Sequence, residues 1–230
     1  MGAARITVFA GHYGSGKTTL AVCHALRLAE KGLRVTLCDL DIVNPYFRTA
    51  DAADLLASRG VRLVASPFAN TNVDAPALPA ATRAIFDDPG ITAVIDLGGD
   101  DRGALALGRY AKALTESGVC EMLLVINPFR PLTRTPEEVA EVRREMEAAG
   151  RVPFTGLLHN ANLGRATTLQ DVISTLPFAE AASKATGLPL KTIGIMESLL
   201  PPRGSPERTI IENTAEIFPI HPIEKSIWRL

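Results

Sequence analysis

The segment Gly11–Thr19 reads GHYGSGKTT and stands between an apolar run, Ile6–Ala10, and a stretch long enough for a helix. Apolar runs of this length are typical of strands that are buried on both faces of a parallel sheet. Glycines let the backbone wrap around an anion, and the helix that follows directs the positive end of its dipole at the same place. The spacing G-x-x-x-x-G-K-T therefore predicts a strand, a phosphate-binding loop and a helix in direct succession.

The same alternation of strand and helix continues along the rest of the chain. The predicted strands cover Arg5–Ala10, Arg34–Cys38, Val61–Ala65, Thr92–Asp96, Met122–Ile126, Phe154–Leu158 and Leu190–Ile195. The predicted helices cover Thr18–Lys31, Asp51–Ser58, Pro79–Phe86, Gly103–Glu116, Pro136–Ala149 and Thr167–Thr175. No linker divides the chain, so we expect one α/β domain over residues 1–230, with a doubly wound, mostly parallel sheet flanked by helices. The residues after Leu199 carry several prolines and are not assigned to an element.

Composition excludes several classes of protein. Of the 230 residues 47% are hydrophobic and 21% are charged, which is typical of a globular chain rather than a disordered one. The formal net charge of −1 lacks the basic excess of proteins whose main partner is nucleic acid. No run of about 18 apolar residues or secretory signal is present, and the three cysteines form no CxxC pair. We therefore expect a cytoplasmic protein without a membrane anchor.

The loop predicts a specific set of phosphate contacts. Lys17 adds a positive charge over the β- and γ-phosphates and is a candidate catalytic residue, while the Thr18 hydroxyl is placed to ligate Mg²⁺. Thr19 is placed to reach the α-phosphate. The candidate nucleotide-binding residues of the loop are Gly11, His12, Tyr13, Gly14, Ser15, Gly16, Lys17, Thr18 and Thr19.

Acidic residues follow two further predicted strands. Asp39 is expected at the end of the second strand near the metal, and Asp41 in the loop beyond, where its carboxylate can orient or deprotonate the attacking water. The fourth strand ends in Asp96 and is followed by two glycines, the arrangement of a Walker B motif. We expect Asp96 to hold Mg²⁺ and the Gly99 N–H to reach the γ-phosphate, so that this segment moves when that phosphate leaves.

Three elements in this order resemble the ParA/MinD/CobQ–CobB group of P-loop proteins, which belongs to the SIMIBI branch. They are the loop Gly11–Thr19, the D-x-D of Asp39–Asp41 and the DLGG of Asp96–Gly99, and Thr133–Val142 is similar to a T-x-P-E-E stretch of ParA-like members. The resemblance implies the P-loop NTPase fold and a Mg²⁺-dependent ATPase. In this group ATP binding brings two subunits face to face, the dimer engages a protein partner or cargo, and hydrolysis releases it.

One position departs from the pattern of this group. Its loop reads G-K-G-G-x-G-K-T, whereas His12 and Tyr13 stand here in place of the first lysine and the next glycine. That lysine usually crosses the dimer interface to the partner's phosphates. By the same resemblance Asp41 lies in switch I and Asp96–Gly99 form switch II. The candidate replacements are His12, Arg48 in switch I and Arg102 beside switch II, and only a histidine would make the step depend on pH.

The segment after the sixth predicted strand indicates which nucleotide base the protein recognises. GTPases that mature metal enzymes read guanine with N-K-x-D, but Ala161 and Leu163 replace the lysine and the aspartate here. Guanine specificity is therefore not expected, and the Asn160 amide is expected to touch adenine, as in ParA-like proteins. His159 is interpreted as structural. Asn127 and Arg130, at the end of the fifth strand, are candidates for contact with base, ribose or a partner.

These observations favour an ATP-dependent switch that uses ATP and Mg²⁺, forms an ATP-dependent homodimer and acts on a protein partner. An alternative from another class is a biosynthetic enzyme that activates a small molecule with ATP, as dethiobiotin synthetase and the CobB/CobQ amidases do on the same fold. In that case the long loop Ser66–Pro79 and Asp41 would hold the acceptor. A third hypothesis is a nucleotide-gated binding module with negligible turnover.

Overall fold

The structure is a computed structural model that describes residues 4–40, 49–65, 80–99, 101–116, 120–221 and 223. The strands of the described part are β1 Ile6–Ala10, β2 Val35–Leu40, β3 Arg62–Ala65, β4 Thr92–Leu97, β5 Cys120–Ile126, β6 Gly156–His159, β7 Leu190–Met196 and β8 Glu216–Ile220. The helices are α1 Lys17–Glu30, α2 Ala53–Ser58, α3 Ala80–Asp87, α4 Asp101–Gly108, α5 Ala111–Glu116, α6 Pro136–Gly150, α7 Leu169–Ser174, α8 Leu176–Thr186 and α9 Pro206–Thr214.

The eight strands form one sheet in the order β3-β2-β4-β1-β5-β6-β7-β8, and every neighbouring pair is parallel. The chain runs from β1 outward to β2 and β3, returns to β4, and then continues to β5 on the opposite side of β1. Ligands of open α/β sheets bind beyond the carboxyl ends of the strands at such a reversal. The topology therefore places the segment after β1 where a ligand site is expected.

Both faces of the sheet are covered by helices. In β1 the side chains of Ile6 and Val8 lie in one buried cluster, which packs against α4, α6 and α8, whereas Phe9 lies in a second cluster with residues of α1 and α2. This division follows from the alternation of side chains along a strand. Burial on both faces explains why the central strands carry almost only apolar residues, and the doubly wound α/β architecture predicted above is confirmed.

Most element predictions agree with the structure. The seven predicted strands match observed strands to within two residues at either end. The helix predicted to start at Pro136 does so behind a capping box, since the Thr135 hydroxyl accepts from the Glu138 N–H at 3.2 Å and the Thr135 N–H donates to the Glu138 carboxylate at 3.3 Å. The helix predicted over Gly103–Glu116 is two helices, because a turn at residues 109 and 110 separates α4 from α5.

The carboxyl-terminal elements were not predicted. Strand β8 contains Pro219, and proline has no N–H to donate to a sheet. Within sheets, prolines are largely confined to edge strands, and β8 is at the edge of this sheet. Helix α9 begins after Ser205, whose hydroxyl accepts from the Arg208 N–H at 3.2 Å, with Pro206 in its first turn. Pro206 therefore marks the start of a helix, and Pro219 lies in a strand at the edge of the sheet.

Candidate functional site

The loop between β1 and α1 has the backbone of an anion cradle. Gly11, Gly14 and Gly16 all have positive φ, of 144°, 78° and 95°, which residues with a side chain rarely adopt. Gly16 precedes α1, and no side chain caps the helix and no acidic residue lies in its first turn. The N–H groups at the start of this 14-residue helix are thus available to an anion.

Lys17 lies inside this loop. Its side chain is only 5% exposed, and its Nζ donates to the His12 carbonyl at 3.2 Å. Thr18 is also buried, and the buried Ser15 hydroxyl has no hydrogen-bond partner within the described part of the chain. A buried ammonium and an unsatisfied hydroxyl beside a helix start suit a phosphate, which is the group that the loop sequence predicts.

The two predicted metal ligands of the sheet are direct neighbours. Asp39 of β2 and Asp96 of β4 are partners in the strand register, so their side chains lie on the same face, and both are buried. Asp96 is also in register with Phe9 of β1, immediately before the loop. Two adjacent carboxylates are oxygen donors that suit Mg²⁺. The prediction that these residues converge on one place is consistent with this register.

The loop after β4 touches the phosphate loop directly. A methyl group on Gly99 would lie 2.5 Å from the Gly11 carbonyl oxygen and 2.9 Å from backbone atoms of His12 and Tyr13. Only glycine allows the two backbones to approach this closely. The loop after β4, which carries the Walker B glycines, is therefore in close backbone contact with the phosphate loop. It cannot move toward the phosphate loop without displacing it.

Asn160 supports the phosphate loop from the other side. Its Nδ2 donates to the Ser15 carbonyl at 2.7 Å, its backbone N–H donates to the Ile126 carbonyl at 2.8 Å, and the residue is 1% exposed. A methyl group on Gly16 would overlap with the same amide nitrogen. The observed contact is thus with the phosphate loop, and the predicted contact with adenine stays a prediction.

Several candidates lie where the structure does not describe them. Asp41, Arg48 and the loop Ser66–Pro79 are outside the described residues, and for Arg102 only the backbone, in α4, is described. Tyr13 and Gly14 are exposed at the mouth of the loop, with 49% of Tyr13 accessible. The His12 Nδ1 is buried without a hydrogen-bond partner among the described residues.

The segment after β5 contributes to the site more than sequence reasoning indicated. Asn127 is fully buried; its Nδ2 donates to the Asn162 carbonyl at 2.9 Å and its Oδ1 accepts from the Phe129 N–H at 3.1 Å. Asn127 therefore shapes the turn after β5 rather than reaching toward a ligand. The side chain of Arg130 lies against Gly14, a contact that no local pattern indicates because the two residues are far apart in the chain.

Other kinds of site are not supported in the described part of the chain. It contains no group of three or more His, Cys, Asp or Glu side chains that could hold a metal ion, and none of its helices is long and apolar enough to cross a membrane. Burial raises the pKa of the Cys38 and Cys120 thiols to about 12, so both are protonated near neutral pH.

A cavity of about 360 Å³ beside Arg27 and Phe218 lies at the amino ends of the strands, away from the phosphate loop.

His159 is structural, as its position in the sequence suggests. Its Nε2 lies 2.9 Å from the Thr175 hydroxyl, and burial lowers its pKa to about 4. His24 packs edge-on against Phe9, with 5.6 Å between ring centroids, and burial together with the nearby Arg27 charge lowers its pKa to about 4. Both imidazoles are therefore neutral in the folded protein near pH 7.

These histidines predict acid sensitivity. Between pH 6.5 and 4 the unfolded chain binds protons that the folded protein does not, so each histidine lowers the free energy of unfolding as the pH falls. The loss at pH 5 is about 2 kcal/mol per histidine. Urea unfolding at pH 7 and pH 5 measures it. We expect His159→Gln to reduce the pH dependence of the free energy of unfolding, and Gln170→Ala, at an exposed position of α7 without a titratable side chain, to leave it unchanged. Equal pH dependence in wild type and His159→Gln would contradict the prediction.

Comparisons with known proteins agree with the fold. No protein-family model matches this chain, and no curated protein sequence matches it either. Among solved structures, FtsY of Mycoplasma mycoides is 22% identical with a TM-score of 0.53 and covers 83% of this chain. Chloroplast FtsY of Physcomitrella patens is 18% identical (TM-score 0.59, 91% of this chain), and the cell division protein FtsY of Thermotoga maritima is 19% identical (TM-score 0.57, 91%).

These matches show the P-loop NTPase fold. This chain spans 59%, 64% and 67% of the three FtsY chains, so the likeness does not extend over their whole length. They show the fold alone and do not distinguish the ParA/MinD group from other proteins with this fold. At these identities the likeness carries no information about the base of the nucleotide or about a partner.

Proposed function

We propose that this protein is a Mg²⁺-dependent ATP-binding protein and ATPase that acts as a nucleotide-driven switch on a protein partner. The observation that carries the proposal is the contact between Gly99 and the phosphate loop, where a methyl group would lie 2.5 Å from the Gly11 carbonyl oxygen. This contact makes the Walker B loop sensitive to whatever fills the phosphate loop. A loop that senses the γ-phosphate and is released on hydrolysis is a recurrent device of nucleotide switches.

The chemistry would be divided among the residues of the site. The loop N–H groups and the Lys17 ammonium bind the β- and γ-phosphates, and Lys17 stabilises the charge that develops as the γ-phosphoryl group leaves. Thr18, Asp39 and Asp96 would hold Mg²⁺, which neutralises phosphate charge when bound. Asp41 orients the attacking water and accepts its proton.

The base is proposed to be adenine. Guanine recognition in the N-K-x-D manner needs a carboxylate three residues after the strand-end asparagine, and that position is Leu163, which is 40% exposed. The oxygens of the neighbouring Asn162 already have hydrogen-bond partners within the chain. Its Oδ1 accepts from the Gly164 N–H at 2.6 Å, and its backbone carbonyl accepts from the Asn127 Nδ2. No Asp or Glu occurs between Asn160 and Thr168. Titration with both ATP and GTP tests this, and tighter binding of GTP would overturn the choice of base.

The switch is proposed to act through an ATP-dependent homodimer that binds a protein partner. The proposed contact surface is the exposed side of the phosphate loop, where 49% of Tyr13 is accessible and Gly14 is exposed. A cation other than a lysine at position 12 would then serve the phosphates.

Replacement of Asp41 by alanine tests the switch. We expect this variant to bind Mg·ATP as the wild type does but to hydrolyse it at least about 100-fold more slowly, because the water loses its base. Light scattering should then show a dimer with Mg·ATP and a monomer with Mg·ADP or no nucleotide. Asp54→Ala, at an exposed position of α2, is the control and should hydrolyse ATP normally.

Two outcomes of this experiment would contradict the proposal. Hydrolysis by Asp41→Ala at the wild-type rate would remove Asp41 as the base. An unchanged mass despite demonstrated ATP binding would exclude the ATP-dependent dimer and would turn attention to a small-molecule acceptor.

A further inference from the structure

Arg130 lies across the middle of the phosphate loop. A methyl group on Gly14 would lie 3.4 Å from both the Cδ and the Nε of Arg130, which is ordinary van der Waals contact. Gly14 itself has a φ of 78° and stands between Tyr13 and Ser15 in the middle of the loop. The stem of the arginine and its Nε thus lie beside the loop backbone at the exposed Gly14.

The turn that carries Arg130 is held by several hydrogen bonds. The Arg130 N–H donates to the Asn127 carbonyl at 3.0 Å, and the buried Thr133 hydroxyl donates to the same carbonyl at 2.7 Å. The Thr133 N–H donates to the Arg130 carbonyl at 3.3 Å. The turn therefore connects the end of β5 to the start of α6 with little freedom, and the position of Arg130 is set before any ligand binds.

The guanidinium has no acceptor of its own in the described part of the chain. Its Nε is buried without a hydrogen-bond partner, and none of the ion pairs among the described residues includes it. Arg59, Arg143 and Arg208, by contrast, each pair with a glutamate. A buried N–H without an acceptor lowers stability, so its retention beside an anion cradle points to an acceptor that arrives with the ligand.

We propose that Arg130 binds the β- and γ-phosphates of the nucleotide from within the same subunit. It would supply the cation that the loop lacks at His12, in addition to Lys17. Arginine is suited to this role because its planar guanidinium donates two hydrogen bonds to a phosphate and stays charged over the whole physiological pH range. The inference rests on the proposed nucleotide binding, and it adds a fourth candidate to His12, Arg48 and Arg102.

The test compares a triphosphate ligand that carries a nucleobase with one that does not. Mg·ATP and inorganic tripolyphosphate with Mg²⁺ are titrated by calorimetry into wild type, Arg130→Met, Arg130→Lys and Arg134→Ala. Arg130→Met keeps an unbranched stem on Gly14 and removes the charge. Arg134 is an exposed arginine four residues further along the chain and serves as the matched control.

We expect Arg130→Met to weaken the binding of both ligands by about tenfold or more, and by the same factor, because the lost contacts are to phosphate alone. Arg130→Lys should recover part of the affinity, and Arg134→Ala should bind as the wild type does. The difference in ligand affinity between wild type and Arg130→Met should become smaller as the salt concentration rises, because ions screen the attraction between the guanidinium and the phosphates. The thermal midpoint of the nucleotide-free protein should not fall in Arg130→Met, because no described hydrogen bond of the side chain is lost.

Three results would overturn the inference. Equal affinity of wild type and Arg130→Met for both ligands would exclude Arg130 from the site. Weakened binding of ATP with unchanged binding of tripolyphosphate would assign Arg130 to the base or ribose. A wild-type protein that binds neither ligand would overturn the proposed function itself, whereas in the first two results the wild type still binds ATP.

Discussion

Replacement of Lys17 by alanine is expected to lower the affinity for Mg·ATP by about 100-fold or more. The ammonium lies inside the phosphate loop, 5% exposed and 3.2 Å from the His12 carbonyl, where water screens its attraction for phosphate only weakly. Calorimetric titration of ATP measures the loss. Lys31, just beyond the opposite end of the same helix, is exposed, and Lys31→Ala should bind ATP normally.

The same variant separates a ligand-binding role from a structural one. A ligand stabilises the folded protein only if it binds, so urea unfolding with and without saturating Mg·ATP should show a stabilisation in the wild type that Lys17→Ala lacks. An equal gain in stability on addition of Mg·ATP in the wild type and in Lys17→Ala would contradict this assignment. A loss of affinity smaller than about threefold would contradict a phosphate contact altogether.

Replacement of Gly99 by alanine is expected to weaken ATP binding by about tenfold or more and to lower the free energy of unfolding by about 1–3 kcal/mol. The new methyl group would lie 2.5 Å from the Gly11 carbonyl oxygen, and the atoms around it are backbone, which cannot rotate away. Either the phosphate loop or the Walker B loop must move. Thermal unfolding and ATP titration measure the two effects.

Gly60→Ala is the matched control for this variant. Gly60 has a φ of 74°, so alanine there is strained, yet no atom of the described residues lies within 4 Å of the added methyl group. Strain alone should cost about 1 kcal/mol and leave ATP affinity unchanged. If Gly99→Ala bound ATP as tightly as Gly60→Ala does, the contact between the two loops would not govern the site.

Sequence reasoning was most successful where the evidence is local. The strand, glycine loop and helix from Ile6 to Glu30 are consecutive, and the helix start at Thr135 depends on residues within one turn. Local hydrogen bonds and backbone preferences decide such features, so they can be predicted from a short window of sequence. The edge strand β8 was not predicted, because Pro219 argues against a strand unless the position of that strand in the sheet is known.

What the sequence determined by itself was the phosphate loop, the carboxylates that follow β2 and β4, and an α/β fold of alternating strands and helices. Tertiary structure alone decided which distant groups meet at that loop. Asn160 donates to Ser15, 145 residues away in the chain, and Arg130 packs on Gly14 because β5 and β6 follow one another on the same side of β1. Strand order depends on packing across the whole sheet, which no local pattern encodes. The phosphate loop can therefore be predicted from one segment, whereas the amide that supports it and the second cation that we propose depend on the assembled sheet.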